Sequence, residues 1–170
     1  MKKFIIKKGK HYSTFLRKLF NFEFGFITKN TYSFVAKFTE SCLYDFNDIP
    51  DEKDINKLCG VSTSYNHHIQ SARFGWRCLD NKNIEILTYC YDNKQRLKFD
   101  ILGTVVPEEI FSGKIIIKSD RFVFYFKKEK YTKIIEVKKT LKSSYIKYKL
   151  DFYFGGNLKA PHDMTLYLGD

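Results

Sequence analysis

Polar and apolar residues alternate with a period of two through most of the chain. This period predicts β-strands, because successive side chains of a strand point to opposite faces. Residues 71–78 are the clearest case, with Phe74 and Trp76 on one face. Arg73 and Arg77 then lie on the opposite face. We therefore expect a strand here with one buried apolar side and one polar side.

Segments with the same alternation recur at short intervals. They are residues 32–38, 83–91, 95–102, 113–118, 121–126, 132–138, 144–154 and 163–168. Short polar stretches separate many of them, which is typical of antiparallel hairpins. About ten such strands predict an all-β fold, with a jelly-roll-like, two-sheet antiparallel sandwich as the first choice and a closed barrel as the alternative.

Two segments bear on how the sandwich is built. Residues 144–154 alternate over the greatest length and predict a central strand with one solvated side. Residues 45–59 contain Pro50 and have no clean period. We expect them to form a surface loop with one helical turn, because neither the strand period nor a sustained helical period is present.

The chain of 170 residues has the length of one domain. We expect a single β-sandwich domain over residues 1–170, with residues 1–30 as a basic and aromatic amino-terminal arm. The phenylalanines of this arm are Phe15, Phe20, Phe22, Phe24 and Phe26. No apolar run approaches the roughly 20 residues of a membrane-spanning helix, and residues 1–20 lack the features of a secretory signal. A cytoplasmic or virion-associated location is the expectation.

The charge of the chain is strongly positive and unevenly distributed. The formal net charge is +11, and residues 1–20 hold seven Lys or Arg and no acid. Residues 121–149 are also rich in lysine, whereas residues 45–54 are acidic. This distribution favours a polyanionic partner. The alternative, which the sequence favours somewhat, is that scattered lysines have no specific partner. They would then keep a β-rich surface soluble and prevent its edge strands from pairing with other chains.

Metal and disulfide chemistry have little support in the sequence. The chain has four cysteines, which are Cys42, Cys59, Cys78 and Cys90. They lack C-x-x-C spacing, so we expect free and mostly buried thiols. His67 and His68 are adjacent, and on an extended chain they would point to opposite faces and would not easily ligate one metal. A three-ligand site with His162 and Asp163 would need further support, so neither a metal nor a cofactor is predicted.

Two polar clusters, residues 65–77 and residues 153–163, interrupt the ladder of strands. They contain three of the four histidines, the single tryptophan and a pair of glycines. The candidate ligand-binding residues are His67, His68, Arg73, Arg77, Asn157, His162 and Asp163. Trp76 is expected in the core and would serve as a stacking platform only if exposed. The pair Gly155 and Gly156 predicts a turn or bulge.

General acid–base chemistry on a sugar is the stronger enzymatic interpretation. Proton abstraction next to a uronate carboxyl needs a histidine base, a tyrosine acid and an arginine that holds the carboxylate. The candidates for these roles are His67, His68, Tyr89, Arg73 and Arg77, with Tyr91 as an alternative acid. No carboxylate pair of the glycosidase kind and no nucleophile elbow is evident, so no residue is assigned as catalytic.

The combination of residues 54–58, 67–77, 153–156 and 160–163 resembles a family of small uncharacterised bacterial and bacteriophage β-sandwich proteins. The resemblance covers most of the chain beyond about residue 30 and is best in the two polar clusters. It implies a sandwich fold and a phage or bacterial setting. It implies no activity and no catalytic residues.

Three functions follow as hypotheses. The first is a non-enzymatic binding or assembly protein, such as a phage virion or accessory component, that recognises a glycan or a protein partner and can form oligomers. The second is a lyase-like carbohydrate-active enzyme that acts on an acidic polysaccharide. The third is nucleic-acid binding through the basic ends, which would be strongly dependent on salt.

Overall fold

The computed structural model describes residues 1–13, 26–44, 54–80 and 82–169. These residues form 13 β-strands and one turn of 3₁₀ helix, Glu40–Cys42. The strands are β1 (Lys2–Ile6), β2 (Phe26–Ile27), β3 (Thr31–Phe38), β4 (Asn56–Ser62), β5 (Ser71–Cys78), β6 (Ile84–Asp92), β7 (Gln95–Arg96), β8 (Ile101–Val105), β9 (Phe111–Ile117), β10 (Arg121–Lys128), β11 (Tyr131–Lys138), β12 (Lys147–Leu150) and β13 (Met164–Gly169).

The strands form two antiparallel sheets that pack face to face. The first sheet has the order β1-β13-β3-β9-β10-β11, and the second has the order β2-β12-β4-β5-β6-β7, with β8 also paired to β6. The strands β1 to β4 alternate between the two sheets. Later in the chain, β12 pairs between β2 and β4 in the second sheet, and β13 pairs between β1 and β3 in the first. This interleaving of β1-β13-β3-β9 with β2-β12-β4-β5 is the strand order of a jelly roll. The predicted antiparallel sandwich is confirmed, with 13 described strands instead of about ten.

Aromatic side chains from both sheets fill the space between them. Phe34 of the first sheet meets Phe74 of the second with ring centroids 4.9 Å apart, and Phe38 meets Trp76 at the same distance. Trp76 is 1% exposed, so its predicted place in the core is confirmed and a stacking role on the surface is ruled out. Burial of each such ring stabilises the sandwich by about 2–3 kcal/mol.

The segment 45–59 was the main error of the sequence interpretation. Its last residues, from Asn56, begin β4, which lies between β12 and β5 and is buried along its whole length. A strand buried on both faces shows no alternation of polar and apolar residues, which explains why its period was missed. Residues 45–53 lie outside the described residues.

The long strand predicted over residues 144–154 is also wrong in its length. Only β12 is regular, and the chain then makes a single bridge between Tyr153 and Lys57. Lys147 is 2% exposed and Ile146 is 46% exposed, which reverses the expected faces at this point. The predicted strand 95–102 is likewise divided into β7 and β8, where the register with β6 shifts.

The first residues of the chain pack against the last ones. β1 pairs with β13, and residues 7–13, which we call the amino-terminal hook, follow the chain that leads into β13. The N–H of Gly9 donates to the carbonyl of Ala160 at 2.8 Å, and the N–H of Phe154 donates to the carbonyl of His11 at 2.8 Å. Four of the five phenylalanines of the predicted arm, from Phe15 to Phe24, lie outside the described residues.

All four cysteines carry free thiols, of which three are buried and Cys78 is partly exposed. The predicted thiol state is therefore confirmed. Burial raises the pKa of Cys42 to about 12, so this thiol stays protonated. Among the described residues, no helix is long and apolar enough to cross a membrane.

Candidate functional site

We call the side of the second sheet that faces away from the core the outer face. Polar side chains of the first cluster lie on this face. Gly60 of β4, Arg73 of β5 and Tyr89 of β6 lie side by side across three neighbouring strands. A Cβ atom on Gly60 would lie 2.2 Å from the carbonyl of Ala72 and 2.9 Å from Cγ of Arg73. Only glycine at position 60 leaves room for the arginine side chain.

Arg73 is the central charge of the outer face. Its Nε atom is shielded from solvent and has no hydrogen-bond partner among the described residues. Burial lowers the pKa of the guanidinium to about 10. Asp151 is close enough to favour the charged form, but among the described residues no carboxylate forms an ion pair with Arg73. A partly buried cation with a shielded, unused donor is unfavourable unless another group supplies the acceptor.

Lys57 is the second buried cation, and it lies on β4 beside Gly75 of β5. Its Nζ donates to the carbonyl of Gly155 at 2.9 Å. The ring centroids of Tyr89 and Tyr153 are 4.9 and 5.4 Å from the same atom. Burial lowers the pKa of Lys57 to about 8. The charge of Asp54 opposes this shift, and the charges of Arg73 and Arg96 add to it.

His67 and His68 lie in the turn between β4 and β5. Because this chain segment is a turn and not a strand, the two rings contact each other with centroids 4.1 Å apart, in contrast to the opposite orientations expected for an extended chain. Burial lowers the pKa of His67 to about 4, and the positive charges of Arg73, His68 and Lys57 add to this effect. His67 is therefore neutral at physiological pH.

Tyrosine rings surround these cations. Tyr89 and Tyr91 meet edge to face at 5.9 Å, and the ring of His68 lies 5.0 Å from Tyr91. Burial raises the pKa of Tyr89 to about 12, so its hydroxyl stays protonated. Ile55 and Leu87 complete a small apolar cluster on the outer face that is separate from the main core.

The second polar cluster approaches the outer face through Tyr153 and the turn that follows it. The N–H groups of Gly156 and Asn157 both donate to the carboxylate of Asp54, which precedes β4. Gly155 has a φ of +71°, in the left-handed region that favours glycine. The predicted turn at this glycine pair is confirmed, and it fixes Tyr153 beside Lys57.

The structure brings together some of the predicted residues and separates others. His67, His68, Arg73 and Tyr89 share one region of the outer face, as the pKa effects and the strand register above require. Arg77 lies further along β5, where its guanidinium is already paired with Glu85 at 2.7 Å. It is therefore less available to a ligand than Arg73 is.

The predicted residues of the second cluster have other partners. Nε2 of His162 lies 2.9 Å from the carbonyl of Ser41. The neighbouring residue, Cys42, contacts Cys78, which ends β5. His162 is therefore at the opposite end of β5 from His67. Asp163 accepts from Nζ of Lys7 at 2.6 Å, and the backbone N–H of Asn157 binds Asp54. These residues hold the hook and the turn in place and do not join the group around Arg73.

Sequence interpretation missed two residues of this group. Lys57 was hidden because it lies in the segment read as a loop, and Tyr153 was counted as one face of a strand that is in fact a single bridge. No local signal distinguished Lys57, because it follows Asp54 and Asn56 in a segment without a strand period.

The arrangement is a group of buried and partly buried cations with tyrosine rings around them. Such a group can bind a compact anion such as a carboxylate, because the partly exposed guanidinium of Arg73 has no ion pair among the described residues. Within the described ranges, no three His, Cys, Asp or Glu side chains are placed to hold a metal ion. No known protein-family model and no curated protein sequence matches the chain.

Proposed function

We propose that the protein binds an acidic glycan on the outer face of its second sheet, with the carboxylate of a uronate residue against Arg73. The observation that carries the proposal is the partly exposed side chain of Arg73, which forms no ion pair with a carboxylate of the described residues. A carboxylate accepts from guanidinium donors in a charge-assisted, often bidentate, arrangement.

The charges around Arg73 support an anionic ligand. The charges of Arg73 and Arg96 lower the pKa of Lys57, and those of Arg73 and Lys57 lower the pKa of His67, whereas Asp54 raises the pKa of Lys57. Like charges that are partly removed from water destabilise one another. An anion bound among them offsets this repulsion, so the site has a favourable electrostatic reason to be occupied.

The aromatic surroundings support a sugar. The rings of Tyr89 and Tyr153 lie next to Lys57, and Tyr91 contacts Tyr89 edge to face. A pyranose ring has apolar C–H faces that pack on aromatic rings and hydroxyls that bond with tyrosine and backbone groups. A uronate has both a carboxylate and a pyranose ring, which match the cation of Arg73 and the tyrosine rings of this site.

The test is calorimetric titration of the protein with trigalacturonate, trimannuronate and the neutral sugar maltotriose. We expect binding of at least one uronate trimer and none of maltotriose. Arg73→Gln should abolish that binding, whereas Arg121→Gln, which removes the same charge from the first sheet, should not. Equal loss in both variants, or tighter binding of a single-stranded DNA of equal charge, would overturn the proposal.

A second candidate function is β-elimination on the same acidic glycan, and the observation that favours it is the neutral state of His67. In this reaction His67 takes the proton α to the carboxyl, the electron pair forms the carbon–carbon double bond, and the bond to the departing glycosidic oxygen breaks. The protonated hydroxyl of Tyr89 supplies a proton to that oxygen. Arg73 stabilises the charge that develops on the carboxylate.

Elimination leaves an unsaturated sugar with strong ultraviolet absorbance. We expect an increase in this absorbance with the uronate polymer that binds, and its loss in His67→Gln with binding retained. Binding with no absorbance change would assign the site to recognition alone.

A further inference from the structure

The amino-terminal hook places a second aromatic group beside the outer face. The rings of His11 and Tyr153 are stacked in parallel, with centroids 4.9 Å apart and an interplanar angle of 7°. The ring of Tyr12 meets Tyr153 edge to face at 4.9 Å. We call these three side chains the hook cluster.

The hook cluster is held firmly by main-chain contacts. Nδ1 of His11 lies 2.8 Å from the carbonyl of Phe154, whose N–H in turn donates to the carbonyl of His11. The chain of Tyr153 pairs with Lys57 through two bonds of 2.8 Å. The rings of the cluster are therefore fixed relative to β4 and to the outer face.

Tyr12 is 51% exposed although it belongs to this ordered cluster. It is also close enough to Arg73 for its phenol to affect the pKa of the guanidinium. Single exposed tyrosines are common on protein surfaces. Tyr12 differs from such residues because its exposed ring is fixed against the ring of Tyr153. It also lies near Arg73, which has no salt bridge among the described residues. The arrangement is therefore organised before any ligand binds.

We propose that the hook cluster is a second sugar subsite, on which the residue next to the Arg73-bound uronate packs, so that the ligand is an oligosaccharide and not a monosaccharide. This inference rests on the proposed function, because it extends the same ligand by one residue. The exposed ring of Tyr12 supplies an apolar face, and Arg73 fixes the register of the chain at the neighbouring residue.

The experiment compares monomers with trimers. Galacturonate, mannuronate and their trimers are titrated into the wild-type protein, Tyr12→Ala, Tyr12→Phe and Tyr131→Ala. Tyr131 is a matched control, because it is 44% exposed on β11 of the first sheet. Thermal unfolding of each variant verifies that it is folded.

We expect the trimer to bind wild type about tenfold more tightly than the monomer, as is typical of one added stacking contact. Tyr12→Ala should remove this advantage and leave the monomer affinity unchanged, whereas Tyr12→Phe and Tyr131→Ala should retain it. Equal affinities of monomer and trimer in wild type, or equal losses for both in Tyr12→Ala, would overturn the subsite. Failure of every uronate to bind would instead reject the proposed function, so the two failures are distinguishable.

Discussion

The carboxylate of Asp54 accepts hydrogen bonds from the backbone N–H groups of Gly156 and its neighbour Asn157. A Cβ atom at position 156 would lie 2.6 Å from Oδ1 of Asp54. The absence of a side chain at Gly156 is therefore what allows the carboxylate to approach. Because Asp54 leads into β4 and the turn follows Tyr153, this contact joins the start of β4 to the second polar cluster, which is far away in sequence.

The glycine turn offers a test of this junction. Gly155 and Gly9 have φ values of +71° and +72°, but a Cβ at 155 would lie 2.1 Å from the carbonyl of Leu158, whereas Gly9 is surrounded by open space. Both Gly→Ala changes incur the strain of a positive φ, and only Gly155→Ala adds a clash. We expect Gly155→Ala to lower the free energy of unfolding by about 2 kcal/mol more than Gly9→Ala, measured by urea denaturation. Equal losses would show that the turn relaxes freely.

Two arginines on the same face of β5 should respond in opposite ways to loss of charge. Arg73 has a buried, unpartnered Nε, so Arg73→Met should raise the free energy of unfolding by about 1 kcal/mol while uronate binding is lost. Arg77 is paired with Glu85, whose side chain is 6% exposed. Arg77→Met should lower the free energy of unfolding by about 2 kcal/mol, because it leaves that carboxylate unpaired. Destabilisation by Arg73→Met would argue that its charge is satisfied within the fold.

The lowered pKa of His67 has a consequence for the pH dependence of stability. Its folded-state value of about 4 lies below the ordinary 6.5. Between these values the unfolded chain binds the proton more readily, so the stability contributed by neutral His67 is complete above pH 6.5 and is lost as pH falls towards 4. We expect His67→Gln to show a shallower decline in unfolding free energy over this window.

The same group should respond to a bound anion. A nearby carboxylate favours the protonated imidazole, so saturating trigalacturonate or trimannuronate should move the His67 titration midpoint upwards in an NMR titration. A midpoint near 6.5 without ligand would contradict the inferred surroundings of this ring.

Asp92 at the end of β6 anchors the chain that follows β11. Its carboxylate accepts from Nε2 of Gln70 at 2.8 Å and from the N–H and hydroxyl of Thr140 at 2.6 and 2.7 Å. Although burial raises the pKa of Asp92, these hydrogen bonds lower it overall. We expect Asp92→Ala to reduce the free energy of unfolding by about 3 kcal/mol, and Thr140→Val, which removes one bond, by about 1 kcal/mol. Circular dichroism during urea denaturation measures both losses.

The sequence could predict strands with one solvated face, because such strands have apolar residues on the buried face and polar residues on the other, which alternate along the chain. β5 begins and ends where its pattern indicated, and Trp76 occupies the core as expected. β4 could not be found in the same way, since the outer face above it is covered as well, and a strand covered on both faces has no period.

The candidate site was predicted in part for a related reason. Arg73 and Tyr89 were identified because they belong to segments whose strand character was evident, and His67 because it lies in the polar cluster next to Arg73. Lys57 was missed with β4, and the role of Tyr12 depends on the hook packing against Tyr153. Contacts between residues that are distant in sequence leave no local pattern, so His162 could be assigned to the site although it binds the carbonyl of Ser41.

The pairing of β1 with β13 has a kinetic implication. Lys2 lies opposite Leu168, so β1 has no partner in its sheet until β13 has been synthesised. The first sheet therefore closes only after translation of residues 164–169, and contacts of such large sequence separation make folding slow. Until then the lysines of β1 keep its unpaired edge in water and discourage association with other nascent chains.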